Sequence, residues 1–209
     1  MDVELQWWQA QLDKPEQAGL PLATRYSFPG ASSENVLVTY SDASREDEAA
    51  EGEVVQSGAG AWCVMRGIFY YVHWRWTRLE IKRHSINVLE AHARDAAGWV
   101  FLDKAREIGC PITHKLAYVD NTAAENVAES GRATTEMLNE LNLRRLQQLR
   151  GRSIYEANER VTSVDNDVAD LLSRGDIKEA LRFPQDCDMS CVELEVQSAY
   201  RDLPPISDQ

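Results

Sequence analysis

The sequence contains no long hydrophobic run. None of its apolar stretches approaches the roughly 20 consecutive residues that a helix needs to cross a lipid bilayer. Residues 1–13 include acidic side chains and lack the basic start of a secretory signal, so we expect no such signal. These absences predict a protein that has no membrane partner and resides inside the cell, in the cytoplasm or the nucleus.

Basic side chains are also few. The chain has 22 lysines and arginines against 34 aspartates and glutamates, which gives a net charge of −12 at pH 7. Proteins that bind nucleic acid unaided usually present a basic face, because neutralisation of phosphates supplies most of the non-specific affinity. A nucleic-acid function would therefore depend on a local basic patch, on bound metal or on a protein partner.

Cysteine is scarce as well, with four residues in the chain. Cys63 and Cys110 lie in apolar stretches, which is typical of small core residues. Cys187 and Cys191 form a C-x3-C pair that resembles half of a zinc site, but no second pair of ligands lies near it in the sequence. We therefore expect reduced thiols and no zinc.

What is present is the composition of an ordinary globular protein, 44% hydrophobic and 27% charged. Alternating β-branched and aromatic residues predict a three-stranded antiparallel meander over residues 36–42, 58–65 and 68–75. Apolar spacing near 3.6 then predicts a helix over 87–108. Further strands are predicted at 115–120 and within 153–164, and further helices at 122–130, 134–150 and 166–173. This order predicts an α/β fold, a five-stranded mixed sheet with helices on both faces.

The chain divides into three predicted regions. Residues 1–34 form an N-terminal helix, with a stripe of Leu5, Trp7, Trp8 and Leu12, and a connector. Residues 35–175 form the domain, which contains an acidic insertion at 45–56 without apolar period. Residues 176–209 form an acidic tail, loose or ordered only on contact.

Four carboxylates are placed where they can meet. Asp42 and Asp120 each end a predicted strand, and functional groups of α/β sheets collect at the carboxyl ends of neighbouring parallel strands. Glu90 lies in the first turn of the long helix, and Asp170 lies in the last helix. Bare carboxylates at this spacing would repel one another, whereas Mg2+ or Mn2+ would neutralise them. Two ions about 3.5–4 Å apart can support phosphodiester cleavage.

Each of these acids also has an ordinary structural explanation. Asp42 could terminate a strand, Glu90 could complement the helix dipole, Asp120 could cap a helix, and Asp170 could be a solvated helix acid. The joint placement of the four favours the metal centre over four unrelated roles.

Four motifs occur in a fixed order around these acids: YSDAS at 40–44, INVLE at 86–90, VDNTAA at 119–124 and NDVADLLSR at 166–174. Over residues 3–175 the chain resembles the ribonuclease H domains of retroelement reverse transcriptases, of the tyrosine-recombinase (DIRS-type) and Ty3-like kinds. The resemblance implies a ribonuclease H-like fold. The order Asp, Glu, Asp, Asp also differs from integrase-type enzymes, which close with Glu, and from proofreading-type exonucleases, which open with Asp-x-Glu.

The resemblance further implies hydrolysis of the RNA strand of RNA–DNA hybrids with two Mg2+ or Mn2+ ions. It makes Asp42, Glu90, Asp120 and Asp170 the metal ligands, with Asp42 between the ions, and it places Ser44 and Asn121 near the substrate backbone. A reverse transcriptase polymerase domain is an expected partner. From the residues alone, 143–152 is the only basic run that we single out, so Arg144 and Arg145 are candidate phosphate contacts; the alternative is a solvated helix face.

The net charge of −12, a missing histidine and the acidic insertion favour a second hypothesis, a weak or inactive domain that serves as a protein-binding subunit of a larger assembly. Many relatives place a histidine before the last helix, yet no histidine follows His114, and Arg160 stands where related retroelements commonly have one. The acidic insertion also follows Asp42 closely and would repel a hybrid. The presence of all four carboxylates favours the enzyme.

Overall fold

A six-stranded mixed sheet runs through the part of the chain that the computed structural model describes, which is residues 34–45, 57–120 and 135–203. The strands are β1 (Val36–Ala43), β2 (Gly58–Met65), β3 (Ile68–Arg75), β4 (His114–Val119), β5 (Tyr155–Arg160) and β6 (Ser190–Glu193). Their order across the sheet is β5-β4-β1-β2-β3-β6. The meander β1-β2-β3 is antiparallel, whereas β4, β5 and β6 each join by parallel pairing.

The helices of the described residues are α1 (Arg78–Arg83), α2 (Ile86–Glu107), α3 (Glu136–Arg152), α4 (Asp167–Arg174), α5 (Ile177–Ala180), α6 (Arg182–Asp186) and α7 (Ser198–Arg201). Local sequence sets several of their ends. A capping box of Thr77 and Glu80 begins α1. The Thr135 side chain accepts the backbone N–H of Leu138 at the start of α3. Gly175, with φ of 83°, ends α4 in the left-handed conformation that favours glycine.

Helices cover the sheet from both sides. Val72 packs in a core cluster with Phe101 of α2, whereas its neighbour Tyr71 packs in a second cluster with Leu172 of α4. Adjacent residues of a strand point to opposite faces of the sheet. Helices α2 and α4 therefore lie on opposite faces of the sheet.

Helix α4 approaches β2 closely because Gly60 has no side chain. A Cβ atom built at Gly60 would lie 2.3 Å from the backbone nitrogen of Ser173 and 2.5 Å from the Cβ of Leu172. No rotation of a side chain could relieve a clash with backbone. Gly60 thus lets the last turn of α4 rest directly on the strand beside β1.

The structure corrects the expected five strands to six. The sixth, β6, comes from the region predicted to be a loose tail, and it pairs in parallel with β3 through partners such as Ile68 and Ser190. Further along, the Tyr200 hydroxyl of α7 donates to Asp103 of α2 at 2.6 Å. Four residues are too few to show a clear alternation of apolar and polar side chains. The partner strand, β3, is also far away in the sequence, so the pairing could not be predicted.

The predicted fold class is confirmed. The meander, the long helix, the parallel strands and the last helix all occur in the predicted order, and the last strand is confined to Tyr155–Arg160. Helix α1 was not predicted, and neither were α5, α6 and α7 in the expected tail. The expected helices near residues 2–13 and 122–130, and nearly all of the 45–56 insertion, lie outside the described residues; the three-region division stays a prediction. None of the described helices combines the length and apolar character needed to span a membrane.

Candidate metal centre

Two neighbouring parallel strands carry Asp42 and Asp120 to the same level. Tyr40 of β1 pairs with Tyr118 of β4, and each aspartate follows two residues later. Successive side chains of a strand alternate, so a spacing of two returns to the same face. The carboxyl ends of the two strands therefore deliver both acids to one place, as the sequence predicted.

Glu90 completes the group from the helix side. One carboxylate oxygen from each of Asp42, Glu90 and Asp120 lies within 4.8 Å of the other two. Opposed oxygens around a single Mg2+ are about 4.2 Å apart, since each binds at about 2.1 Å. The three acids, which we call the acid trio, therefore need little movement to share an ion. A donor set made only of carboxylate oxygens is also the set that hard divalent cations prefer.

The electrostatics of Asp42 favour a cation at this place. Burial raises the pKa of Asp42 to about 6, opposed by a hydrogen bond from the side chain of Ser173. The negative charges of Asp120 and Asp170 are smaller contributions to the same rise. An acid in this setting holds its charge poorly by itself, and a divalent cation bound between the carboxylates would stabilise the charged form.

Asp170 lies beside the acid trio rather than within it. Its side chain is 40% exposed, and Nε of Arg174 donates to both of its carboxylate oxygens at 2.9 Å. Its charge nonetheless acts on Asp42. The structure thus brings together three of the four predicted ligands and places the fourth next to them in an ion pair with the following helical turn.

Ser44, a predicted substrate contact, has a structural position. It is buried, its hydroxyl accepts the N–H of Gly58 at 3.1 Å, and it donates to the carbonyl of Ser173 at 2.9 Å. These bonds join the end of β1 to β2 and to α4. Asn121, the other residue placed near the substrate by resemblance, lies outside the described residues.

The two arginines proposed as phosphate contacts differ from each other. Arg144 lies on α3 and pairs with Glu140 at 2.9 Å. Because the Arg144 side chain is exposed, a ligand can still reach it. Arg145 is only 4% exposed, and its guanidinium pairs with the buried Glu156 and with Asn142. Its position does not support a phosphate contact, because it already neutralises an internal carboxylate.

A second basic run, which we call the α1 patch, lies between β3 and the helix that carries Glu90. It consists of exposed side chains at and just before α1: Arg75, Arg78, Lys82 and Arg83. The guanidinium of Arg45, three residues after Asp42, donates to the carbonyl of His84 at 2.9 Å, so the end of α1 lies beside the end of β1. The signal was visible in the sequence, since Glu80 is the only acid between Arg75 and Arg83.

Comparison with known proteins finds similarity of fold at low sequence identity. A ribonuclease H1 from the archaeon Halobacterium salinarum NRC-1 is 18% identical, with a TM-score of 0.46 over 71% of this chain and 98% of that chain. The ribonuclease H1 called LC11, solved with an RNA/DNA hybrid, is 15% identical, with a TM-score of 0.48 over 69% and 99%. A foamy viral protease-reverse transcriptase is 14% identical, with a TM-score of 0.38 over 83% of this chain and 26% of that chain.

No protein-family profile and no curated protein matches the chain. The structural likenesses are distant, and the ribonuclease H-like fold class rests on the strand order, the strand directions and the helices on both faces. The DIRS-type or Ty3-like origin stays a prediction from the four motifs.

Proposed function

We propose that this chain is a metal-dependent nuclease that hydrolyses the RNA strand of RNA–DNA hybrids and derives from a retroelement. The observation that carries the proposal is the convergence of Asp42, Glu90 and Asp120, whose ligand atoms lie within 4.8 Å of one another. Three carboxylates from two strand ends and a facing helix form an arrangement with a clear electrostatic need for divalent cations.

In this proposal the acid trio holds the metal and Asp170 adds negative charge at its rim. When bound, divalent ions of such a centre activate a water and stabilise the leaving oxygen of a phosphodiester. The chain itself contributes rigidity: Asp42 lies within a strand that is paired on both sides, and Glu90 lies in a helix of 22 residues. Mg2+ and Mn2+ are the ions that we propose.

The α1 patch offers a route for the nucleic acid in spite of the net charge of −12. Its four basic side chains are exposed and precede the helix that carries Glu90. Phosphate neutralisation by such a local group supplies affinity without a basic protein surface overall. The preference for a hybrid, and the retroelement origin, rest on the four sequence motifs.

A second candidate is a protein-binding subunit with weak or lost chemistry. The observation that favours it is the pairing of Asp170 with Arg174, which occupies both oxygens of the fourth predicted ligand. This hypothesis predicts stable association with a partner, such as a polymerase domain, and no cleavage of an RNA–DNA hybrid.

A fluorescent RNA–DNA hybrid assay in Mg2+ or Mn2+ tests the proposal. We expect the full chain to cut the RNA strand and Asp120→Asn to lose at least about 100-fold in rate, because one ligand of the acid trio becomes neutral. Asp186→Asn, an exposed acid of α6, is the matched control and should retain the parent rate. No cleavage at micromolar protein, or cleavage unchanged by Asp120→Asn, would contradict the enzyme and favour the protein-binding subunit.

A further inference from the structure

Ser173 lies in the last turn of α4 with its hydroxyl against Asp42. The residue is 1% exposed. Its Oγ is 2.7 Å from Oδ2 of Asp42 and 2.8 Å from the backbone carbonyl of Asp170, one helical turn earlier. Ser173 therefore connects Asp42 to the helix that carries Asp170.

The chemistry of this hydroxyl makes it a donor to Asp42. A serine has one hydroxyl hydrogen, so the carboxylate of Asp42 and the carbonyl of Asp170 compete for it. An ionised carboxylate forms the stronger hydrogen bond, because a charged acceptor roughly doubles the strength. The carbonyl of Asp170 is thus the weaker of two competing acceptors, and the hydrogen is directed to Oδ2 of Asp42.

The backbone around Ser173 is held at this distance by several independent contacts. Ser44 donates to the Ser173 carbonyl at 2.9 Å, and Gly60 leaves the space that the Ser173 nitrogen occupies. Asn166, at the other end of α4, donates from Nδ2 to the carbonyl of Ser41 at 3.1 Å. Both ends of the helix are thus bonded to the end of β1, and Ser173 has little freedom to move away from Asp42.

We propose that Ser173 is a positioning residue for the metal centre: it fixes the orientation of the Asp42 carboxylate so that the acid trio is preorganised for a divalent ion. This inference rests on the proposed function, since it assigns Asp42 to a metal. Hydrogen-bond partners of ligating carboxylates typically change metal affinity 10–100-fold when they are removed.

A second hydroxyl near the trio gives a useful contrast. Ser163 donates to Oδ2 of Asp120 at 3.3 Å, but the bond is exposed to solvent. Water readily replaces an exposed donor, whereas the hydroxyl of Ser173 belongs to a residue that is 1% exposed and has no solvent beside it to take its place. The positioning effect is therefore assigned to Ser173 and not to both serines.

Calorimetric titration of Mn2+ into the full chain tests the inference without relying on activity. Ser173→Ala removes the donor, and Ser173→Cys keeps the volume while replacing the hydroxyl by a weak donor. We expect both variants to bind Mn2+ about 10–100-fold more weakly than the parent. The matched control is Ser163→Ala, which removes the exposed hydroxyl that donates to Asp120 and should bind Mn2+ with close to the parent affinity.

The outcomes separate the possible explanations. Parent affinity in Ser173→Cys would overturn the inference, because packing alone would then explain the residue, and so would equal losses in Ser173→Ala and Ser163→Ala. Melting of each variant in EDTA verifies that it is folded. If the parent binds Mn2+ but cuts no hybrid, the proposed function fails while the affinity comparison still decides the role of Ser173. If the parent binds no Mn2+, both proposals fail.

Discussion

Two buried carboxylates of this domain have opposite electrostatic surroundings. Asp42 belongs to the acid trio, and its pKa is raised to about 6 by burial, with the charges of Asp120 and Asp170 adding to the effect. Glu156 of β5 is as fully enclosed, yet its pKa lies far below the usual range, because the cations Lys115, Arg145 and Arg94 outweigh its desolvation. Both acids are buried, so the opposite directions of their pKa shifts come from the neighbouring charges and not from burial alone.

The surroundings of Glu156 form a complete internal network. The ammonium of Lys115 donates to Glu156 at 2.8 Å with 0% exposure, and the guanidinium of Arg145 pairs with the other oxygen. Gly98 of α2 makes room for this ammonium, since a Cβ there would lie 2.3 Å from Nζ. The network, defined as Arg94, Lys115, Arg145 and Glu156, thus supplies the buried carboxylate with cations from within the protein.

The acid trio differs from this network in the charges that surround its buried carboxylate, Asp42. Among the groups in the described part of the chain that act most on the pKa of Asp42, none is a cation. A countercharge supplied from solution is what the proposed metal centre would provide. The domain thus neutralises Glu156 with its own cations, whereas the charges that act most on Asp42 are negative.

The largest expected effect comes from breaking the network. Glu156→Gln would leave Lys115 and Arg145 buried without their counter-ion, so we expect the free energy of unfolding to fall by about 3–5 kcal/mol. Urea unfolding followed by circular dichroism measures it. The control is Glu140→Gln, which removes a half-exposed pair with Arg144 and should cost at most about 0.5 kcal/mol. A loss below about 1 kcal/mol for Glu156→Gln would contradict the assigned role of the network.

A smaller effect is expected from crowding the network. Gly98→Ala would place a methyl group against the Lys115 ammonium and force it away from Glu156, which should cost about 1–3 kcal/mol. Gly151→Ala is the matched control within a helix, because nothing lies within 4 Å of a Cβ at that position. The control should be neutral or stabilising by up to about 1 kcal/mol. Equal effects in the two variants would indicate that the space at Gly98 is not needed.

The smallest effect, with the opposite sign, is expected at Asp42. Its folded pKa, about 6, lies above its ordinary value of 3.8, so the folded state binds the proton more tightly than the unfolded state. The stability from this group is fully present below pH 3.8 and is lost as pH rises through about 6. In EDTA at pH 7.5, Asp42→Asn should therefore be more stable than the parent by about 1–2 kcal/mol.

Denaturant unfolding at pH 4 and pH 7.5 measures this difference. The advantage of Asp42→Asn should shrink towards pH 4, where the parent carboxyl is mostly protonated in the folded state. A variant that is less stable than the parent at pH 7.5 in EDTA would show that Asp42 is satisfied internally after all, as Glu156 is.

The acid trio could be predicted because its geometry follows from local patterns. Asp42 and Asp120 lie at the ends of strands whose alternation is clear. Glu90 lies near the start of the long helix, just after the first turn in which the sequence placed it, because the helix already begins at Ile86. The i,i+4 spacing of Asp170 and Arg174 is also typical of an ion pair, since side chains four residues apart meet on a helix. The spacing was visible in the sequence, but the NDVADLLSR motif at 166–174 favoured a fourth metal ligand at Asp170 instead.

Other features depend on contacts between distant segments. Arg145 lies in the buried stripe of α3 with Leu138, Leu141 and Leu149, and its burial is understandable only with Glu156 of β5 opposite. The role of Ser173 likewise depends on the depth to which α4 sits on Gly60. Neither the partner nor the depth can be obtained from spacing within one element.

Thermal melting of the parent and Asp42→Asn at pH 7.5, in EDTA and in excess Mg2+, tests the central claim most directly. A ligand that binds only the folded state stabilises it in proportion to the logarithm of its concentration over Kd. We expect Asp42→Asn to melt above the parent in EDTA, and Mg2+ to raise the parent alone and reverse the order. A parent whose melting temperature ignores Mg2+, or rises no more than that of Asp42→Asn, would contradict a metal centre at the acid trio.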